Sequence, residues 1–170
     1  GGIFHVEITS QQEFGVEISA DDNLIPLVRT EVRDGVLYIE SEEKISPRSN
    51  LRIRISAPEL DRLNVSGAAK VNVAALKGSE FTLDSSGASK ITLTGESTTL
   101  NVEVSGATKV DAENLISQSA EVNASGASRV SVNVSEALRA NASGASKIVY
   151  SGSPKNIVEK SSGASKISSN

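Results

Sequence analysis

Along nearly the whole chain apolar residues recur two positions apart, which predicts strands rather than helices. Over residues 61–170 this alternation is punctuated six times by the same tripeptide, at Ser66-Gly67-Ala68, Ser86-Gly87-Ala88, Ser105-Gly106-Ala107, Ser125-Gly126-Ala127, Ser143-Gly144-Ala145 and Ser162-Gly163-Ala164. The glycines lie 20, 19, 20, 18 and 19 residues apart. Counted back from each glycine, the sixth position holds Asp61, Phe81, Leu100, Ala120, Leu138 and Ile157, and the fourth holds Leu63, Leu83, Val102, Val122, Ala140 and Glu159. Four positions after the glycine stands Val or Ile every time, and the residues between are mostly Asn, Thr, Ser, Asp and Glu. Period-two patterning on both sides of a glycine means two strands per repeat. A repeat near 20 residues that cannot bury its own apolar face must stack on its neighbours. The expected fold is therefore all-β, a parallel β-helix or β-solenoid of about six coils, right-handed as β crossovers nearly always are. The last coil has Glu159, Ser161 and Ser169 where earlier coils are apolar, as suits a terminal, capping coil.

Residues 1–60 lack the repeat. Val6 and Ile8, then Phe14, Val16 and Ile18, alternate on either side of Gln11-Gln12-Glu13 and read as a hairpin. Asp21-Asp22-Asn23 stands where it would cap one short helical turn, which Pro26 keeps short. Arg33-Asp34-Gly35 between Thr30-Glu31-Val32 and Val36-Leu37-Tyr38-Ile39 is a tight-turn signal, because Asp-Gly accepts positive φ. Residues 42–50 read as a loop. Leu51, Ile53 and Ile55 then alternate with Arg52 and Arg54 in a half-buried strand with two cations on its wet side. This N-terminal β segment (1–60) is expected to pack on, or run into, the solenoid (61–170) and close its first end, making one structural unit.

The tripeptide itself reads as a corner. Gly67, Gly87, Gly106, Gly126, Gly144 and Gly163 supply a backbone conformation other residues resist. The following Ala is expected where stacked neighbours leave no room, and the flanking serines are expected to bond backbone groups stranded by the turn. Three residues past each glycine comes a cation, Lys70, Lys90, Lys109, Arg129, Lys147 and Lys166. In stacked coils these six form one row with steps of about 4.8 Å, spanning about 24 Å. Aligned like charges repel, so Asp84, Glu103, Asp111 and Glu121 are expected to offset them if they lie alongside. The row is the candidate binding strip, suited to an acidic polysaccharide; its structural counterpart is a solvated edge that keeps a β face from sticking to itself.

Composition narrows the chemistry. Among 170 residues aromatics are 3%, and Cys, Met and Trp are absent, so the interior is filled by Val, Ile, Leu and Ala. Lack of Cys excludes thiol catalysis, disulfides and thiolate metal sites. The net charge of −4 divides into 7 Lys+Arg against 12 Asp+Glu before residue 64, and 10 against 9 after it. Neither half is basic enough, nor rich enough in aromatics, for nucleic acid. There is no membrane-spanning run. The abrupt opening Gly1-Gly2-Ile3 is what a chain freed of a targeting segment would show, so any membrane attachment is expected through an anchor outside it.

The order Val16-Glu17-Ile18, Asp22-Asn23-Leu24-Ile25-Pro26, Thr30-Glu31-Val32-Arg33-Asp34-Gly35-Val36-Leu37, Ile55-Ser56-Ala57-Pro58-Glu59-Leu60 and Leu63-Asn64-Val65-Ser66-Gly67 resembles the autotransporter adhesin head (GIN) domain family of Bacteroidetes-type bacteria over residues 3–170. The resemblance implies a secreted or surface-attached β-solenoid and supplies no catalytic residues. Here a Lys or Arg, preceded by Ser in four of the six repeats, follows Ser-Gly-Ala where family members often carry neutral or acidic residues, so no ligand preference carries over.

Other candidates are weaker. His5 is the only histidine and has no evident catalytic partner. Asp21-Asp22-Asn23 lacks the spaced oxygens of a calcium loop, no serine sits in a plausible catalytic order with His5 and an acid, and Tyr38 and Tyr150 stand alone. No cofactor or metal is expected. The leading function is a non-enzymatic extracytoplasmic or cell-surface interaction module, its partner an acidic glycan or a surface protein. The alternative is a carbohydrate-active β-helix enzyme on acidic polysaccharide, which needs an acid–base cluster interrupting the repeat. An ice- or crystal-binding lattice, suggested by the serine rows, is opposed by the adjacent cations.

Overall fold

A computed structural model describes residues 4–21, 24–41 and 51–170. The N-terminal strands are β1 (Phe4–Ser10), β2 (Gly15–Ser19), β3 (Val28–Arg33), β4 (Val36–Ser41) and β5 (Arg52–Ala57). The repeat contributes β6 (Arg62–Gly67), β7 (Ala69–Gly87), β8 (Lys90–Gly106), β9 (Lys109–Ala124), β10 (Arg129–Ala142), β11 (Lys147–Gly152), β12 (Asn156–Ser161) and β13 (Lys166–Ser169). One sheet runs in the order β13-β11-β10-β9-β8-β7-β1-β5-β2, with β6 paired to β7 and β12 to β10. Every pairing within the repeat is parallel and aligns equivalent residues of successive coils. The repeat is thus a β-solenoid of about six turns. Its core is the apolar set read from the alternation: Val71, Ile91, Val110, Val130 and Ile148 line one leg, and Phe81, Leu83, Leu100, Val102, Val122 and Leu138 the other, all buried.

β7 to β10 are long because hydrogen bonding continues around a second corner, so one strand holds the leg after one glycine corner and the leg before the next. This second corner has no constant residue: Ala75 (φ 58°) serves β7, Gly95 (φ 133°) serves β8 and Gly152 (φ 90°) ends β11. All the variation in coil length is absorbed there. Between β7 and β8 the register slips at Val73/Leu76, between β8 and β9 at Thr92/Thr94, and between β9 and β10 at Val132/Asn133 and Val134/Ala137. The Ser-Gly-Ala corner stays in step, Gly67 opposite Gly87 and Gly87 opposite Gly106. One residue inserted between Ser135 and Glu136 should therefore cost less than about 1 kcal/mol. The same insertion between Gly106 and Ala107 flips every following side chain until the next slip and should cost more than about 3 kcal/mol. Urea midpoints of the two variants check this; similar losses would contradict it.

The N-terminal segment runs into the solenoid sheet, but its own strands pair differently from the pattern's suggestion. β1 lies parallel to β7, Phe4 opposite Ala69 and Val6 opposite Val71, and extends the sheet by one strand. β1 and β2 do not form a hairpin. β5 lies between them, parallel to β1 and antiparallel to β2. The physical reason is that β1 has two edges, and the parallel partners β7 and β5 occupy both; Gln11 (φ 66°) turns the chain out of the ladder instead of into a tight hairpin. The strand at 52–57 is as expected, with Leu51 and Ile53 buried and Arg52 and Arg54 exposed. Arg54 pairs with Glu7 on one neighbour and Glu17 on the other, at 3.3 and 3.4 Å. The Asp34-Gly35 hairpin of β3 and β4 forms as read, with φ of 51° and 77°. Arg33 holds Glu31 through two hydrogen bonds and lowers its carboxyl below the ordinary range. The short turn at Ile25–Leu27 is a 3-10 turn capped by Leu24, with no side-chain cap. Asp21 contributes its carbonyl to Leu24 N at 2.8 Å, while Asp22 and Asn23 lie outside the described residues.

Candidate functional site

The geometry of the glycine corner sets everything beside it. Gly67, Gly87, Gly106, Gly126, Gly144 and Gly163 all have φ between 71° and 113°, the left-handed region. A Cβ on Gly106 would lie 2.5 Å from the carbonyl oxygen of Gly87, and one on Gly126 would lie 2.7 Å from that of Gly106. Such a Cβ points only at the coil before. Gly67, at the foot of the stack, has nothing within 4 Å. Confinement is thus from one side, and not from both as stacking alone suggests.

The alanine is not the confined residue either. Ala88, Ala107, Ala127, Ala145 and Ala164 are exposed along a low ridge, and the side chain that turns inward is the next one. Ser89, Thr108, Ser128 and Ser146 are buried there. Ser89 shares a hydrogen bond with Ser85 at 2.8 Å, Ser146 donates to the Ala124 carbonyl at 3.1 Å, and Ser165 to that of Ala142 at 3.0 Å. Ser128 Oγ has no partner, because Val104 O already accepts from both N and Oγ of Ser125.

One step further, the cations return to the surface. Lys70, Lys90, Lys109, Arg129, Lys147 and Lys166 are register partners on successive strands, as the spacing requires, all exposed except the half-buried Lys147. The row does not stop at Lys70. His5 is opposite Lys70 and Arg52 is opposite His5, so β1 and β5 add two rungs. Seven Lys or Arg side chains and one imidazole occupy eight adjacent strands, about 34 Å at the usual strand spacing. Among the described residues none of the eight makes an ion pair. Of the acids expected to offset the row, only Asp111 shares its face, in the neighbouring row; Asp84, Glu103 and Glu121 belong to the leg on the far side of the corner. His5 and Arg52 escaped the motif because no Ser-Gly-Ala precedes them. Their signal was a basic residue followed by a β-branched one, His5-Val6 and Arg52-Ile53, as in Lys70-Val71 and Lys90-Ile91.

Across the ridge lies a groove of about 420 Å³ floored by Ser105, Ser125, Ser143, Ser162, Asn123 and Asn141. Asn141 donates to Asn123 at 2.7 Å, continuing the coil-to-coil register in side chains. Tyr150 and Glu159 meet near the open C-terminal coil, where desolvation first and Glu159 second raise the phenol above its ordinary range. Arg33 lies 5.7 Å above the Tyr38 ring. Among the described residues no group of three or more His, Asp or Glu is placed to hold a metal ion, and no helix is long and apolar enough to cross a membrane.

The family model described as "putative auto-transporter adhesin, head GIN domain" matches residues 1–154. No curated protein matches the sequence. Among solved structures, a "putative adhesin" from Bacteroides fragilis superposes with a TM-score of 0.73 at 18% identity, over 99% of this chain and 91% of that one. A "putative lipid binding protein" from Parabacteroides distasonis gives 0.52 at 19% identity, over 99% and 92%. A "putative adhesin" from Parabacteroides merdae gives 0.52 at 15% identity, over 99% and 91%. At such identities the likeness is one of fold.

Proposed function

The chain belongs to the family of auto-transporter adhesin head GIN domains, and from that premise we propose that it is a non-enzymatic extracytoplasmic or cell-surface interaction module whose cation row holds an acidic polysaccharide. The single observation that carries this reading is the row itself: register-aligned cations on a rigid sheet, without ion-pair partners among the described residues. Uncompensated like charges opposite one another on a sheet are unfavourable, and an anionic chain lying along them removes that cost. One exposed charge contact is worth only about 0.2–1 kcal/mol. Repetition along a rigid face lets many such contacts act on one polymer. No catalytic group enters this reading.

The variant K90Q/K109Q/R129Q/K147Q tests it. Binding to polygalacturonate, followed by titration at low salt, should fall at least tenfold. The melting temperature should stay or rise slightly, because the changes relieve repulsion and break no ion pair. Weakening of wild-type binding by added salt should accompany it. If the variant binds as well as the wild type and instead self-associates in light scattering, the row is a guard against face-to-face pairing and the binding reading fails.

A further inference from the structure

We infer that the N-terminal strands complete the binding row, so that Arg52 and His5 hold one end of an extended acidic polysaccharide lying along the solenoid axis over eight rungs. The inference rests on the function proposed above and adds to it the ligand's form, its length and two residues outside the repeat.

Shape comes first. The eight positions Arg52, His5, Lys70, Lys90, Lys109, Arg129, Lys147 and Lys166 are joined rung to rung by parallel pairing, with no register slip between any two of them. The row is one side chain wide and about 34 Å long, which suits a linear chain better than a flat membrane or a rounded protein surface. On the corner side of the six repeat rungs stand the glycines and small alanines of the ridge. On the other side, two residues along each strand and on the same face, runs a second aligned row of Arg54, Glu7, Asn72, Thr92, Asp111, Ser131, Val149 and Ser168, with Arg54 and Glu7 paired to each other.

Those neighbours point to the class of polymer. Short hydroxyl and amide side chains beside Lys70, Lys90, Arg129 and Lys166 offer neutral donors and acceptors next to those charge contacts. A chain bearing both carboxylates and hydroxyls uses both rows. A polypeptide of acidic side chains carries no hydroxyls and meets the second row only through its backbone amides, and nucleic acid would want aromatic platforms, which the row lacks. The spacing also fits: a sugar residue in an extended chain advances by nearly one rung. The lowest two rungs differ from the rest in being built by β1 and β5, so the ligand's reach depends on the N-terminal segment as well as on the number of coils.

The experiment is a length series. Size-fractionated oligogalacturonates are titrated against the full chain and against H5Q/R52Q, with circular dichroism and melting curves confirming that the variant is folded. Arg52 and His5 are exposed and make no ion pair among the described residues, so the variant should melt as the wild type does. For the wild type, affinity should climb at least tenfold as the oligomer lengthens and level off near the span of eight rungs, about 34 Å. For the variant it should level off near six rungs, about 24 Å, with shorter oligomers bound equally by both proteins. A common plateau at the shorter length overturns the inference while leaving the proposed function standing. No binding at any length overturns both. Poly-glutamate of equal charge binding as tightly as the oligogalacturonate would replace the polysaccharide with an acidic peptide.

Discussion

Replacing Gly106 by Ala should lower stability by more than about 3 kcal/mol, whereas replacing Gly67 by Ala should cost only about 1–2 kcal/mol. Both positions have φ of 80°, so the strain of a left-handed alanine is common to the two. They differ in what lies beneath. The Cβ at position 106 would press on the Gly87 backbone at 2.5 Å, a distance that cannot be relieved by rotating a side chain, while the one at position 67 meets nothing within 4 Å. Relief at position 106 requires coils to part, with loss of the hydrogen bond from Ala107 N to Gly87 O at 2.8 Å. At Gly163 the clearance is 2.9 Å from Gly144 O. That terminal coil can fray from its free side, so an intermediate loss is expected. Urea unfolding of the three variants gives the order directly. Equal losses at positions 67 and 106 would refute a corner confined by the coil below.

Leu100→Ala should cost about 2–5 kcal/mol and Ile157→Ala less than about 1 kcal/mol, though the two occupy the same place in their coils. Leu100 is fully buried between Phe81 on the coil below and Ala120 on the coil above, so its truncation opens a cavity enclosed by the stack. Ile157 is 43% exposed on β12, whose only strand partner among the described residues is β10. Its removal takes away little buried area and opens no enclosed cavity. Melting curves of the two variants separate the cases, and a loss at Ile157 matching that at Leu100 would mean that something else covers the last coil.

Inside and outside of the repeat were legible because a period-two pattern has one solution once one face must be buried: Leu83, Val102 and Val122 could face only the core. The glycine spacing was equally legible, since positive φ at a tight stack excludes other residues. What local pattern cannot carry is pairing between distant segments. Val6 and Ile18 look like two arms of a hairpin, yet the strand between them comes from Arg52–Ala57, more than thirty residues on. The second corner was invisible for a different reason. It makes no single steric demand, so Ala75, Gly95 and Gly152 serve it in turn. The candidate row was legible over six rungs and missed at two, because His5 and Arg52 reach it by sheet extension and not by the corner motif that flagged the others. The ridge alanines were misread as confined: the tight contact belongs to the glycine before each, and the inward turn to the serine or threonine after it.

The division of labour between the two corners has an evolutionary consequence. Since each Ser-Gly-Ala turn restores alignment whatever the preceding coil's length, a miscount in one coil is not inherited by the next. Whole coils can then be duplicated or deleted as interchangeable modules, and single residues gained or lost at the opposite bend, without rewriting the remainder of the gene. Each added module lengthens the surface by one strand spacing, about 4.8 Å, and supplies one more charge. The length of the row is thereby set by the number of modules, a digital adjustment made by recombination rather than by point mutation.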